Sequence, residues 1–380
     1  MVEIRYFQCH CRVKLDRVGI FNIEELEIFM KQDLEHKNFQ LPAARCLSHT
    51  WQQPVFDFLA SNHFNGTHFL NALHPPEAHK RSNFIKWMLK RRSSTWKVDR
   101  KREYSTFEQA SRSLPQNRPN ARLDDWQVWF VGHATVLIQI GPYNLLTDPV
   151  WAEYAGPKQG SGPRRVCPAG IALEELPEIH AVLLSHNHYD HMDIASLEWL
   201  HERFAMPIYT GLGNGYYLPA HFQVYELDWW QSALLGDLKL VYTPAQHGSG
   251  RGLRDQNRAL WGGFSVLNGQ DHCFFAGDTG YSPHFKDIFV KYGAPRIALL
   301  PIGAYEPRLL MRYLHMNPDE AFQAHKDLHA KCSLAIHYRT FQLTDESREQ
   351  PEEDLQKARQ KSSKLMNPFI CIREGKRLTV

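Results

Sequence analysis

At 380 residues, with 43% hydrophobic and 22% charged residues, the chain has an ordinary globular composition and can bury a substantial core. Its formal net charge of +3 gives no argument for a nucleic-acid partner. No run of 18 apolar residues argues for a membrane-spanning helix, and the charged start "MVEIRYFQCHCRVKLDRVGI" lacks the apolar stretch of a signal peptide.

In chain order, residues 1–124 read as an N-terminal extension and residues 125–380 as the main domain. Within the extension "NIEELEIFMKQDLEH" predicts an amphipathic helix capped by Asn22. Residues 79–104 carry ten Lys/Arg against two acids, interleaved with Phe84, Ile85, Trp87, Met88, Leu89 and Trp96. That pattern suits an anionic membrane surface, or equally an apolar helix face packed on the main domain with its lysines in water. "SLPQNRPNARLDD" (113–125) reads as a linker. The seven cysteines, scattered and odd in number, predict reduced thiols and a cytoplasmic protein.

After the linker come short apolar runs closed by turn residues: "WQVWFVGHATVLIQI", "NLLTDP", "AVLLSH", "LKLVYTPAQH", "FSVL", "HCFFAGD", "IALLPIG" and "CSLAIH". Helical patterns fall between them at 193–204, with Asp193 as the expected cap, and at 317–331, with Asn317 as cap and Pro318 in the first turn. Strands mixed with helices predict an α/β protein built on a central sheet.

Four of these runs deliver a metal-ligating side chain. "AVLLSH" leads to His186, then His188, Asp190 and His191; "LKLVYTPAQH" leads to His247, "HCFFAGD" to Asp278 and "CSLAIH" to His337. Strands sharing a sheet can bring such ends to one point. Five histidines and two aspartates are enough for two adjacent ions, and imidazole with carboxylate and no thiolate suits two Zn2+ first, then iron or manganese. His133 in "GHAT" and Asp148 in "LLTDP" also follow apolar runs; each is read as a partner orienting a ligand imidazole or as a structural turn residue.

"HNHYDH" with the later His, Asp and His in order resembles the metallo-β-lactamase superfamily. "GHATVLI", "LLTDPV", "TPAQH", "LWGGFSVL", "FFAGDTGY", "PIGAYEPR", "HMNPDEA" and "AIHYRTF" narrow the resemblance to the N-acylphosphatidylethanolamine-hydrolysing phospholipase D group and its bacterial relatives. It spans roughly residues 128–345, with a weaker echo at "HFLNALHP" (68–75), and the first sixty or so residues depart from it.

The resemblance implies an αβ/βα sandwich with two metals at one edge of paired sheets, so that residues 125–380 become the catalytic domain. His186, His188 and His247 would hold the first ion, and Asp190, His191 and His337 the second, with Asp278 bridging. Histidine at 188, where diiron relatives carry glutamate, favours hydrolysis over redox chemistry. The catalytic candidates are Asp190, Tyr189 and His315, either of the last two to donate a hydrogen bond to a phosphate oxygen or to protonate the leaving alkoxide. The implied reaction releases N-acylethanolamine and phosphatidic acid. A phospholipid substrate, peripheral attachment at the inner membrane face and a homodimer follow from the same resemblance. Glu306 and Arg308 are expected to fix their loop. "LLMRYLH" (309–315) offers core packing or acyl-chain contact. Competing functions are a lactonase on the same fold, a nuclease using the basic stretch, and a binding module with a closed, purely structural metal site.

Overall fold

The computed structural model describes residues 61–73, 86–87, 95–99, 113–252, 254–269, 271–362 and 367–380. The expected helix capped by Asn22 lies outside the described residues, as does most of the basic segment 79–104.

Among the described residues, fourteen strands form two seven-stranded sheets. The first contains β1 (Trp126–Gly132), β2 (Thr135–Ile140), β3 (Tyr143–Thr147), β4 (Ala181–Leu184), β5 (Ile208–Gly211), β6 (Val224–Leu227) and β14 (Arg377–Thr379), in the order β14-β1-β2-β3-β4-β5-β6. The second contains β7 (Ser232–Leu235), β8 (Leu238–Thr243), β9 (Gly263–Asn268), β10 (Asp271–Phe275), β11 (Ile297–Pro301), β12 (Ser333–Ile336) and β13 (Phe369–Ile370), in the order β13-β12-β11-β10-β9-β8-β7. Each sheet is mixed. The β1–β3 meander is antiparallel and β3 to β6 run parallel, while β7 to β10 are antiparallel and β10 to β13 parallel.

Alternation along β1 explains why the first sheet is covered on both faces. Val128 and Phe130 join the core that also holds Leu240, Phe264, Val266 and Phe274 of the second sheet. Trp129 and Val131 point the other way, into a layer completed by Leu197 and Leu200 of α1 (Ile194–Phe204). The second sheet carries α2 (His284–Tyr292), α4 (Pro318–Asp327) and α5 (Gln350–Gln360), whose Phe285, Ile288, Phe322, Ala324, Leu355 and Ala358 join the main core; α3 (Arg308–Met311) precedes α4. The result is the expected sandwich of two sheets between helical layers.

Helix α4 begins as the sequence predicts. Asn317 Oδ1 accepts from Glu320 N (2.9 Å) and Glu320 Oε2 accepts from Asn317 N (3.1 Å), with Pro318 in the first turn. It stops at Asp327, short of the expected 331. Asp193 precedes α1 but caps no helix amide. Its carboxylate instead accepts from Trp151 N (3.3 Å), Ala152 N (3.0 Å) and Ser196 Oγ (2.6 Å), because the loop after β3 competes for it.

Candidate metal centre

Both sheets direct strand ends to one buried point. His186 follows β4 by two residues, His247 lies four beyond β8, Asp278 three beyond β10, and His337 directly follows β12. The two sheets are stitched together there by hydrogen bonds from Gly262 N to Ser185 O (3.1 Å) and His337 N to His133 O (2.8 Å).

Three imidazoles form one half of the cluster. His188 Nδ1 lies 2.8 Å from His186 Nε2 and 3.2 Å from His247 Nε2. The other half is built on carboxylates. Asp278 Oδ2 lies 3.1 Å from His191 Nε2, and its Oδ1 lies 3.1 Å from His337 Nε2. Asp190 Oδ2 is 3.4 Å from each of the same two nitrogens. Asp278 Oδ2 also stands 3.6 Å from His247 Nε2, so this carboxylate sits between the halves.

The rings are aimed by hydrogen bonds on their far sides. Asp148 Oδ2 accepts from His191 Nδ1 (2.6 Å) and from Ser185 Oγ (2.6 Å). Having given its one proton to Asp148, Ser185 Oγ accepts from His186 Nδ1 (2.9 Å). His247 Nδ1 donates to Leu314 O (2.8 Å). Each of these bonds turns Nε2 towards the cluster. His133 Nε2 hydrogen-bonds Asp190 Oδ2 (2.9 Å), and its ring packs against that of His337 with centroids 4.1 Å apart. His133, Asp148 and His337 all have positive φ (56°, 32° and 60°), strain on the order of 1–3 kcal/mol per residue that the surrounding bonds must hold.

Charge follows the same division. Burial, reinforced by neighbouring imidazoles, holds His186 and His247 well below the ordinary histidine value, and burial lowers His188 as well. These are neutral donors, the form that binds a metal. Burial alone would push Asp190 and Asp278 up, yet the facing histidines hold both carboxyls well below the usual range. Burial likewise opposes the charge on His191 and His337, but Asp278 and Asp190 outweigh it; His191 is raised well above its ordinary value and His337 to about 9.

The residues fit a pair of metal ions. His191 Nε2, His337 Nε2 and Asp278 Oδ1 are buried and close together, yet none of them makes a hydrogen bond. The subsets His186/His188/His247, His186/His191/Asp278 and His133/Asp190/His191/His337 each place one ligand atom per residue within 4.8 Å of the others. All donors are imidazole or carboxylate, which suits zinc; Cys167, Cys273, Cys332 and Cys371 are free thiols outside the cluster.

The remaining candidates stand beside it. His315 Nδ1 lies 3.9 Å from Asp278 Oδ2, buried and without a hydrogen bond, and burial lowers this imidazole to about 4. Arg308 braces it by donating to His315 O (3.0 Å) while pairing with Glu320 (2.7 Å), and Glu306 Oε2 accepts from Arg308 N (3.0 Å). Tyr189 donates its hydroxyl to Arg251 O (2.8 Å), beneath a guanidinium 4.0 Å from its ring centroid, so that proton is engaged on the loop rather than turned to the cluster. The same Arg251 Nη1 donates to the carbonyls of Asn187 (3.0 Å) and Met192 (2.8 Å), bracketing the His188–His191 turn. Ser185 and Arg251 escape sequence reasoning, since neither is a metal-ligand type; only the position of Ser185 beside His186 offered a signal.

Comparison with known proteins agrees with this fold. Residues 143–338 match the family model described as a beta-lactamase superfamily domain. N-acyl-phosphatidylethanolamine-hydrolyzing phospholipase D 1 of Caenorhabditis elegans is 37% identical over 227 residues, 56% of this chain and 64% of that protein. The mitochondrial N-acyl-phosphatidylethanolamine-hydrolyzing phospholipase D of Saccharomyces cerevisiae is 35% identical over 224 residues, 56% of this chain and 47% of that protein. The chain thus spans less than two thirds of the length of these two relatives. Among solved structures, Igni18, a metallo hydrolase from the archaeon Ignicoccus hospitalis, is similar with a TM-score of 0.52 at 22% identity, covering 67% of this chain and 98% of that one. That likeness concerns the fold.

Proposed function

The chain belongs to the beta-lactamase superfamily, and from that premise we propose that it is a dinuclear metal-dependent phosphodiesterase, a phospholipase D acting on N-acylated phosphatidylethanolamine. The convergence of His186, His188, His191, His247, His337, Asp190 and Asp278 from the ends of both sheets carries the hydrolase part of this reading. The substrate class is supported by the names of the worm and yeast relatives.

His186, His188 and His247 would hold one ion; Asp190, His191 and His337 would hold the other, with Asp278 between them. Metal ions held there would supply Lewis acidity, lowering the pKa of water and neutralising charge on the phosphoryl oxygens. The chain itself supplies orientation. Asp148 and Ser185 lock two imidazoles and the Leu314 carbonyl a third, so that little reorganisation remains when substrate arrives. His315 is neutral near pH 7 and can donate a ring N–H to an oxygen of the substrate or the departing alkoxide. Tyr189 supports the turn through Arg251. Water adds to phosphorus through its oxygen and gives up a proton, the bond from phosphorus to the ethanolamine oxygen breaks, and that oxygen takes up a proton, so that N-acylethanolamine leaves phosphatidic acid behind.

Residues 125–380 form the catalytic domain in this proposal, and the extension with its basic segment favours action at an anionic lipid surface. No helix among the described residues is long and apolar enough to cross a membrane.

Zinc content per chain, followed by product identification on N-acylphosphatidylethanolamine vesicles, tests the proposal. Phosphatidic acid and N-acylethanolamine, abolished by a chelator and restored by zinc, are expected. A lysolipid would mean acyl-ester chemistry, and turnover of a generic lactone with no phosphodiester cleavage would mean a lactonase; either result overturns the phospholipase D assignment.

A further inference from the structure

His247 lies in a buried loop after β8, where its backbone N–H and C=O have no strand to pair with, and such groups need a partner. The partner comes from residues ahead of the matched family domain. Asn71 Nδ2 donates to His247 O (2.6 Å), and His247 N donates to Asn71 Oδ1 (3.0 Å). Trp261 Nε1 donates to the same Oδ1 (3.1 Å), so two donors converge on that atom and fix which end of the amide faces them. One residue away the arrangement is repeated in reverse. Gln246 Oε1 accepts from Leu73 N (3.1 Å) and Gln246 Nε2 donates to Leu73 O (2.9 Å). Gln246 N in turn donates to Thr279 Oγ1 (2.9 Å), next to Asp278.

We propose that this reciprocal pair of amide clamps ties residues 71–73 into the support of the metal centre, with Asn71 as the positioning residue that sets the backbone of His247. The inference rests on the metal-centre reading above. Leu314 sets the rotation of the His247 ring and Asn71 sets where the ring starts from; together they fix Nε2 against His188 and Asp278. The segment has its own anchors, so it stays docked without the clamp. Phe69 is fully buried in the main core and its N–H donates to Asn257 O (2.7 Å). His63 pairs with Asp228 (2.7 Å) and stacks on Trp229 at 4.1 Å.

The test is zinc binding by chelator competition, with the visible spectrum of the cobalt-substituted protein, on wild type, N71A, N71D and H63Q. N71D keeps the acceptor but sets a carboxylate against the His247 carbonyl. One of two metal equivalents should bind about tenfold more weakly in both Asn71 variants, as for other residues that orient ligands, with an altered cobalt spectrum. H63Q should match wild type in both. Unchanged affinity and spectrum in the Asn71 variants overturns the inference, and so does equal weakening in H63Q, which would mean general packing of the segment. Should N71A fail to fold, N71D against H63Q decides. Wild type that binds no metal overturns the functional proposal itself, an outcome distinct from variants that bind like wild type.

Discussion

Asp148 and His191 share a hydrogen bond of 2.6 Å with both side chains fully buried, and the same carboxylate reaches His186 through Ser185. One residue thus orients an imidazole in each half of the cluster. D148N should disrupt this arrangement, because both carboxylate oxygens accept, Oδ2 from His191 Nδ1 and Ser185 Oγ and Oδ1 from Ser185 N (2.7 Å), and an amide must turn its NH2 against one of those two sides. Zinc affinity should fall by roughly 10- to 100-fold, measured by competition with a chromogenic chelator. Wild-type affinity in D148N would remove Asp148 from the working parts of the centre.

Gly277 precedes Asp278 with φ at +60°, and a Cβ there would lie 2.7 Å from both Gly262 O and Ser185 Cβ. G277A should therefore cost both left-handed strain and a clash that displaces Asp278 and Ser185. Gly269 has the same φ of +60° with no atom within 4 Å of an added Cβ, so G269A isolates the strain. Denaturant unfolding should show G269A losing about 1 kcal/mol and G277A markedly more, with bound zinc lost only from G277A. Equal losses would mean that the close approach to Ser185 is not tight.

The clustering of these histidines and aspartates was legible because each is a metal-binding residue type at or just beyond the end of an apolar run, a pattern visible without knowing which strands pair. Asn317 was legible because its capping partner Glu320 is three residues away. Less legible were contacts decided by distant chain. Asp193 looks like a local cap, yet Trp151 and Ala152 claim its carboxylate. Tyr189 looks poised between ligands, yet its hydroxyl goes to Arg251. Asn71 carries no signal beyond the weak echo in "HFLNALHP", since an amide clamp on a backbone 176 residues away has no spacing to read.

Leu309 is 62% exposed in α3, whereas its neighbours Leu310 and Met311 are buried. The apolar run "LLMRYLH" therefore divides: Leu310 and Met311 pack, Tyr313 and Leu314 are half-buried, and Leu309 is presented to solvent. Placing Leu309 in an acyl layer would contribute about 2 kcal/mol. L309E should weaken association with substrate vesicles by tenfold or more, measured by vesicle sedimentation, while a soluble phosphodiester is hydrolysed at the wild-type rate. Equal losses on both substrates would make Leu309 a residue of the catalytic cleft, and no loss on either would end its lipid role.

Glu226, buried in β6, offers a stability test remote from the metal centre. Burial pushes its carboxyl up to about 7, against the opposing hydrogen bond from Gly215 N (2.6 Å). The unfolded chain ionises this group near its ordinary value of 4.5. Between pH 4.5 and 7 the unfolded state therefore releases a proton that the folded state retains, so stability falls as pH rises through this window and levels off above it. The contribution is about 3 kcal/mol, present in full at low pH and absent at pH 8. E226Q keeps an acceptor for Gly215 and cannot ionise. Urea unfolding at pH 5 and pH 8 should show the variant gaining on wild type at the higher pH, by up to that amount. Parallel pH dependence in the two proteins would mean that Glu226 titrates alike in folded and unfolded chains.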